Sequence, residues 1–130
     1  MFMNTSINES PTICEKAGAP LTGAANLAVK YDANGDVVLA GAGDSAIGIL
    51  TADTEATVAT GDRVTLAIKD IVLWKTGAAV DKGAELAADV AGKAVTAVAT
   101  DFIVAIALED AGAANKTIKV QIVKAGYKPA

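Results

Sequence analysis

Leu27-Ala28-Val29-Lys30-Tyr31-Asp32-Ala33-Asn34-Gly35-Asp36-Val37-Val38-Leu39 is the stretch on which the fold turns. Two short apolar runs flank an Asn-Gly pair, and Asn and Gly tolerate the positive φ angles that a tight hairpin requires. The stretch predicts antiparallel strands at Leu27–Tyr31 and Val37–Leu39. Outward from it the same grammar recurs, with Val-, Ile- and Thr-rich runs separated by clusters of Gly, Asp and Asn. Further strands are expected at Ala46–Leu50, Arg63–Ile68, Ile71–Trp74, Ala94–Val98, Phe102–Leu108 and Thr117–Val123. Lys69-Asp70 leaves almost no loop between its neighbours, so a second tight reversal or a bent strand is expected there. Gly83–Gly92 is Ala-rich and helical on propensity alone, but its flanking glycines and short length favour turns and brief strands. The expected class is all-β, a compact barrel or sandwich.

An internal echo runs through the pattern. Asp32, Gly35, Val38, Asp44 and Ile49 align at one constant offset with Asp89, Gly92, Val95, Asp101 and Ile106. Val64-Thr65-Leu66-Ala67-Ile68 matches Ile118-Lys119-Val120-Gln121-Ile122 after a short deletion. Two repeated β units packed face to face would give this pattern, and so would two unrelated β segments rich in Ala, Val and Gly. Residues 1–26 differ in texture. They mix Asn, Ser, Thr, Pro11, Pro20, Gly18 and Gly23 with isolated apolar residues and show neither period. They are expected to form an extended N-terminal arm ahead of a single β-rich domain over 27–130.

The 130-residue chain is 52% hydrophobic but only 4% aromatic, so its apolar content is Ala, Val and Ile. A core of such side chains is thin, and a small domain with a thin core gains stability by oligomerising. The net charge of −4 argues against gripping a phosphate backbone, which needs a basic stripe. Neither a secretion signal nor an apolar run long enough to span a membrane is present. Nucleic acid and membrane are therefore not expected partners. The single cysteine, Cys14, cannot form an intrachain disulfide and is expected as a reduced thiol of a cytoplasmically made protein. The glycosylation triplets at Asn4, Asn8 and Asn115 carry no weight in that setting.

There is no histidine, which removes the commonest general base, the usual activator of Ser and Cys nucleophiles, and the commonest metal ligand. The carboxylate pairs Asp32 with Asp36, Asp53 with Glu55, and Glu109 with Asp110 fall in expected turns, where Asp is favoured for turn geometry. Asp32-Ala33-Asn34-Gly35-Asp36 has its glycine too early for a calcium loop. Gly41-Ala42-Gly43-Asp44-Ser45-Ala46 fits a dinucleotide fingerprint in letters, but a strand follows where a helix would be needed. No enzyme activity, cofactor, metal or small-molecule substrate is expected. Trp74 either anchors a protein interface or fills the largest gap in a small-residue core. Met1, Phe2, Met3, Ile7 and Ile13 would suit an arm clamped on a partner's edge, or they belong to a frayed terminus.

A family resemblance gathers these pieces in order: Val29-Lys30-Tyr31-Asp32 with Asn34-Gly35, Ala46–Leu50, Thr60–Leu66, Gly77–Leu86, Gly92–Val95, and Ile106–Glu109. The succession resembles the decoration, or cement, proteins of tailed bacteriophage capsids. The resemblance implies a compact β domain, β-tulip-like, on the outer surface of an icosahedral head, often a trimer near local threefold axes. It implies the major capsid protein as partner, with the arm and Trp74 as candidate contacts. It also implies a mechanical role, stabilising the shell by bridging capsomers. Two other resemblances compete. Trp74–Leu86 followed by Gly92-Lys93-Ala94-Val95 is similar to lipoyl or biotinyl carrier domains, with Lys93 as the modified lysine, although Gly92 stands where an acidic residue is usual. A domain of a phage head fibre is the third reading.

Overall fold

The structure, a computed structural model, describes residues 10–130. Among these residues the regular elements are all strands: β1 (Thr12–Lys16), β2 (Leu21–Thr22), β3 (Ala28–Tyr31), β4 (Val37–Leu39), β5 (Gly48–Leu50), β6 (Thr57–Val58), β7 (Arg63–Ala67), β8 (Ile71–Lys75), β9 (Glu85–Ala88), β10 (Ala94–Thr96), β11 (Phe102–Ala107) and β12 (Thr117–Tyr127). They form a five-stranded sheet β1-β7-β5-β3-β4, a second five-stranded sheet β10-β9-β11-β12-β8, and the small pair β2-β6. The β3–β4 hairpin expected around Asn34-Gly35 is present, with Tyr31 opposite Val37 and Gly35 at φ 80°. Gly83–Gly92 supplies the brief strand β9 rather than a helix.

No sheet closes into a barrel, which leaves the sandwich as the architecture. The edges of each large sheet approach each other only at one isolated parallel bridge, Ala17 with Val37 and Thr76 with Ala94. Beyond that bridge the chain turns away at Gly18 and Gly77, so no ladder continues around the seam. Each sheet arranges its strands, counted in chain order, as first, fifth, fourth, second, third. Connecting bonds correspond as well. Gly18 N donates to Val37 O as Gly77 N donates to Ala94 O, both at 2.8 Å. Asn26 N donates to Leu50 O at 2.9 Å as Gly83 N donates to Ala107 O at 2.7 Å.

Two apolar clusters hold the body together. Leu21, Leu27, Val29, Val37, Leu50, Val58 and Leu66 fill the interior of the first sheet. Ala28, Ile49 and Ala67 of that sheet join Trp74, Leu86, Val104, Ile118, Val120 and Ile122 of the second. Each Val, Leu or Ile taken fully out of water contributes about 1.5–3 kcal/mol. The alanines contribute little area and instead let the two sheets approach closely. Trp74 is 0% exposed and its indole donates to Gly92 O at 2.9 Å. Ala28 N donates to the same carbonyl at 2.8 Å, so the Asp89–Lys93 hairpin is tied down onto the first sheet.

The boundary expected between an arm and the domain lies elsewhere. β1 pairs along its whole length with β7, and β2 pairs with β6. Ala17, Leu21 and Ala24 are buried in the first cluster. Residues 12–24 are therefore part of the folded body. Their apolar positions are too widely spaced, and too often broken by Pro and Gly, to display a strand period in the letters alone.

Candidate functional site

β8 is the edge of the second sheet, and its sequence Ile71-Val72-Leu73-Trp74-Lys75 is apolar on both faces. Side chains alternate across a strand. Trp74 points into the core, whereas Ile71 and Leu73 stand outward at 62% and 40% exposure. β12 alternates likewise, burying Ile118, Val120 and Ile122 and turning Lys119, Gln121 and Val123 outward. The register sets Leu73 opposite Lys119, Ile71 opposite Gln121 and Lys75 opposite Thr117. Val123, 39% exposed, lies one step further along the same face. The result is an apolar strip bordered by Lys75 and Lys119. Further along the outer face Ala87 and Ile103 pack with Ala97 beneath the segment leading to β11, while Ile106 and Glu85, in register with Gln121, are half-buried.

A second feature is a shallow hollow of about 340 Å³ at the junction of the two sheets, lined by Lys30, Tyr31, Ser45, Ile47, Phe102 and Lys124. Lys30 pairs with Asp44 at 2.6 Å. That hydrogen bond, with a second from Gly41 N, holds the Asp44 carboxyl below the usual carboxylate range. The Tyr31 hydroxyl donates to Glu15, and this bond, partial burial and the neighbouring charge together raise its pKa. β11 and β12 shift register between Ile103 and Ala105. Lys124 lies on β12 opposite that shift, at φ 45°, and desolvation lowers the pKa of its ammonium. Phe102 and Tyr127 meet edge to face at 5.3 Å beside it.

Of the carboxylates that sequence singled out, Asp32, Asp53, Glu109 and Asp110 brace loops. Asp32 Oδ1 accepts from Asn34 N at 2.8 Å and Asp36 N at 3.0 Å. Asp89 Oδ1 does the same for Ala91 N and Lys93 N. Glu109 accepts from Lys119 N, Asp110 accepts from Lys82 N, and Asp53 accepts from the Thr51 hydroxyl. Gly41 and Asp44 close a turn that leads into β5, where a dinucleotide fingerprint would need a helix. Among the described residues no three His, Cys, Asp or Glu side chains converge for a metal ion. Lys93 is not presented on a free hairpin tip; its ammonium donates to Asn115 Oδ1 at 2.7 Å.

Of the contact candidates, Met1, Phe2, Met3 and Ile7 lie outside the described residues. Ile13 is half-buried on β1, packed against the first cluster. Trp74 is fully enclosed and presents nothing to a partner, so the core alternative holds for it. The exposed residues beside it, Ile71 and Leu73, carry a signal in the sequence, because a strand apolar at successive positions has a second face to cover.

Residues 15–122 match the family model described as phage cement protein. The chain belongs to that family. The match runs from β1 to β12 and so takes in both large sheets of this cement-family protein. Its fold is similar to the crystal structure of the head fiber gp8.5 N base in bacteriophage phi29, with a TM-score of 0.65 at 15% identity, covering 88% of this chain and 95% of that one. No curated protein matches the sequence.

Proposed function

We propose that this protein is a non-enzymatic structural component of a phage head, bound to the outer surface of the shell and stabilising it by bridging capsid subunits. Family membership over both sheets carries the reading, and the exposed apolar strip on β8 and β12 gives it a physical means. A bound protein that touches two capsid subunits adds interface that must break before the shell opens, so it stabilises the assembled state by mass action. The partner in this reading is the major capsid protein. A homotrimer, made in the host cytoplasm before it joins the virion, fits a body whose own core is thin. The equal strand order and the corresponding hydrogen bonds support an origin of the two sheets as repeats of one β unit.

Heads that lack the protein, heated with and without added purified protein, test the stabilising role. The expected result is a higher disruption temperature when the protein is bound. Equal temperatures at saturating occupancy refute it. Electron microscopy of the same particles should show density lying over junctions between capsomers, and density confined to a projecting fibre would replace cement with an appendage.

A further inference from the structure

We propose that the two β units have divided their roles: the second docks on the shell through the outer face of β8 and β12, and the first faces away from it. The inference rests on the cement reading above and specifies which surface performs it.

The first unit serves as an internal comparison. β1 and β8 hold the same place in their sheets, each at the edge beside the last strand. The bonds from Ala17 N to Asp62 O and from Thr76 N to Lys116 O fix the register between them, as do those from Ile68 N to Pro11 O and from Ile122 N to Asp70 O. Ile71 then corresponds to Thr12, Leu73 to Cys14, Lys75 to Lys16, and Val123 to Lys69. The fold is built in the first unit with polar or small residues at these points, so folding does not demand apolar ones in the second. An exposed apolar edge strand is an association hazard that proteins otherwise avoid. Its presence on one unit and not the other points to a partner that covers it.

Charge separates the units in the same sense. Residues 70–130 carry equal numbers of lysines and carboxylates, so the whole net charge of −4 falls on residues 1–69. Lys75 and Lys119 border the apolar strip. The complementary surface is an apolar patch with a carboxylate rim, presented by the outside of the shell. A second copy docking by a twofold axis on this face would bring lysine rims together, and like charges brought into apposition oppose association. A homotrimer would close through two different faces of neighbouring copies, so its contacts need not cover this strip, and the shell is the occupant that the lysine border favours.

Amine-reactive labelling of the wild-type protein, free and bound to heads, with lysines read by mass spectrometry, tests this directly. Binding should cause loss of labelling at Lys75 and Lys119, while Lys16, the counterpart of Lys75, keeps its free rate. The double variant Ile71→Thr, Leu73→Ser should fold with unchanged thermal stability and bind heads on the order of tenfold or more weakly. Lys16→Gln should bind as wild type. Head-bound protein whose Lys75 and Lys119 stay reactive, or whose Lys16 is protected instead, overturns the assignment of the face and leaves the cement reading standing. Protection already present in the free protein at the same concentration assigns the face to a second copy and overturns the proposal. Wild-type protein that binds no head removes both.

Discussion

Gly92 shows how much one backbone position can decide. Its carbonyl takes hydrogen bonds from Trp74 Nε1 and Ala28 N, which ties a hairpin of the second unit to a strand of the first. Its φ is 78°, and a Cβ added there would sit 2.9 Å from Ala28 O. Gly35 occupies the matching place in the first hairpin at φ 80°, yet nothing lies within 4 Å of its Cβ position. Gly35→Ala should therefore cost about 1 kcal/mol from backbone strain alone. Gly92→Ala should cost about 3 kcal/mol, because a clash with backbone adds to the strain. Urea unfolding of the two variants checks the difference, and equal losses would mean that the junction is looser than its geometry. Thr100 offers the opposite case. It holds φ at 74° although it is β-branched, and at the constant offset that aligns the two halves of the sequence it stands where the first half has Gly43 at φ 70°. Relief of left-handed strain predicts that Thr100→Gly raises stability by about 1 kcal/mol, measured as an increased urea midpoint at unchanged slope.

Elements were legible in the sequence where turn chemistry and strand period coincided. β3, β4, β7, β11 and β12 lie where Val and Ile runs meet Gly, Asn or Asp. β1, β2 and β6 escaped because their partners are distant in sequence: Ile13 faces Leu66 and Leu21 faces Val58. Pairing of that kind depends on tertiary packing more than on local preference. The proposed docking face was half legible for a related reason. Trp74 draws the eye by its size, but alternation turns it inward and leaves its smaller neighbours Ile71 and Leu73 outside. These placements revise what truncation should do. Removing residues 1–26 takes away β1, β2 and buried Ala17, Leu21 and Ala24. That truncation should abolish cooperative unfolding by circular dichroism, and a sharp transition in it would show the first sheet to be complete without its edge.

At the scale of the whole molecule the question is whether the two units are independent. Their sheets have the same strand order, which suits a history as separate bodies, but the core says otherwise. The cluster around Trp74 draws Ala28, Ala40, Ala46, Ile49 and Ala67 from the first unit. Backbone bonds also cross between units, from Lys75 N to Asn26 O at 2.9 Å and from Gly43 N to Ala88 O at 3.0 Å. A fragment of residues 70–130 would expose this surface to water, and chains of about 60 residues have little stability in reserve. The fragment alone should therefore give the red-shifted fluorescence of a solvated Trp74 and no cooperative melting. Mixing it with residues 1–69 should restore a blue-shifted spectrum at one-to-one stoichiometry, since the shared cluster and crossing bonds form between fragments as they do within the chain. A cooperative transition and a blue-shifted Trp74 in residues 70–130 alone would make the units separate domains. The shared core also bears on cement: force applied to a docked second unit reaches the first through a packed interface, so the molecule would resist as one body.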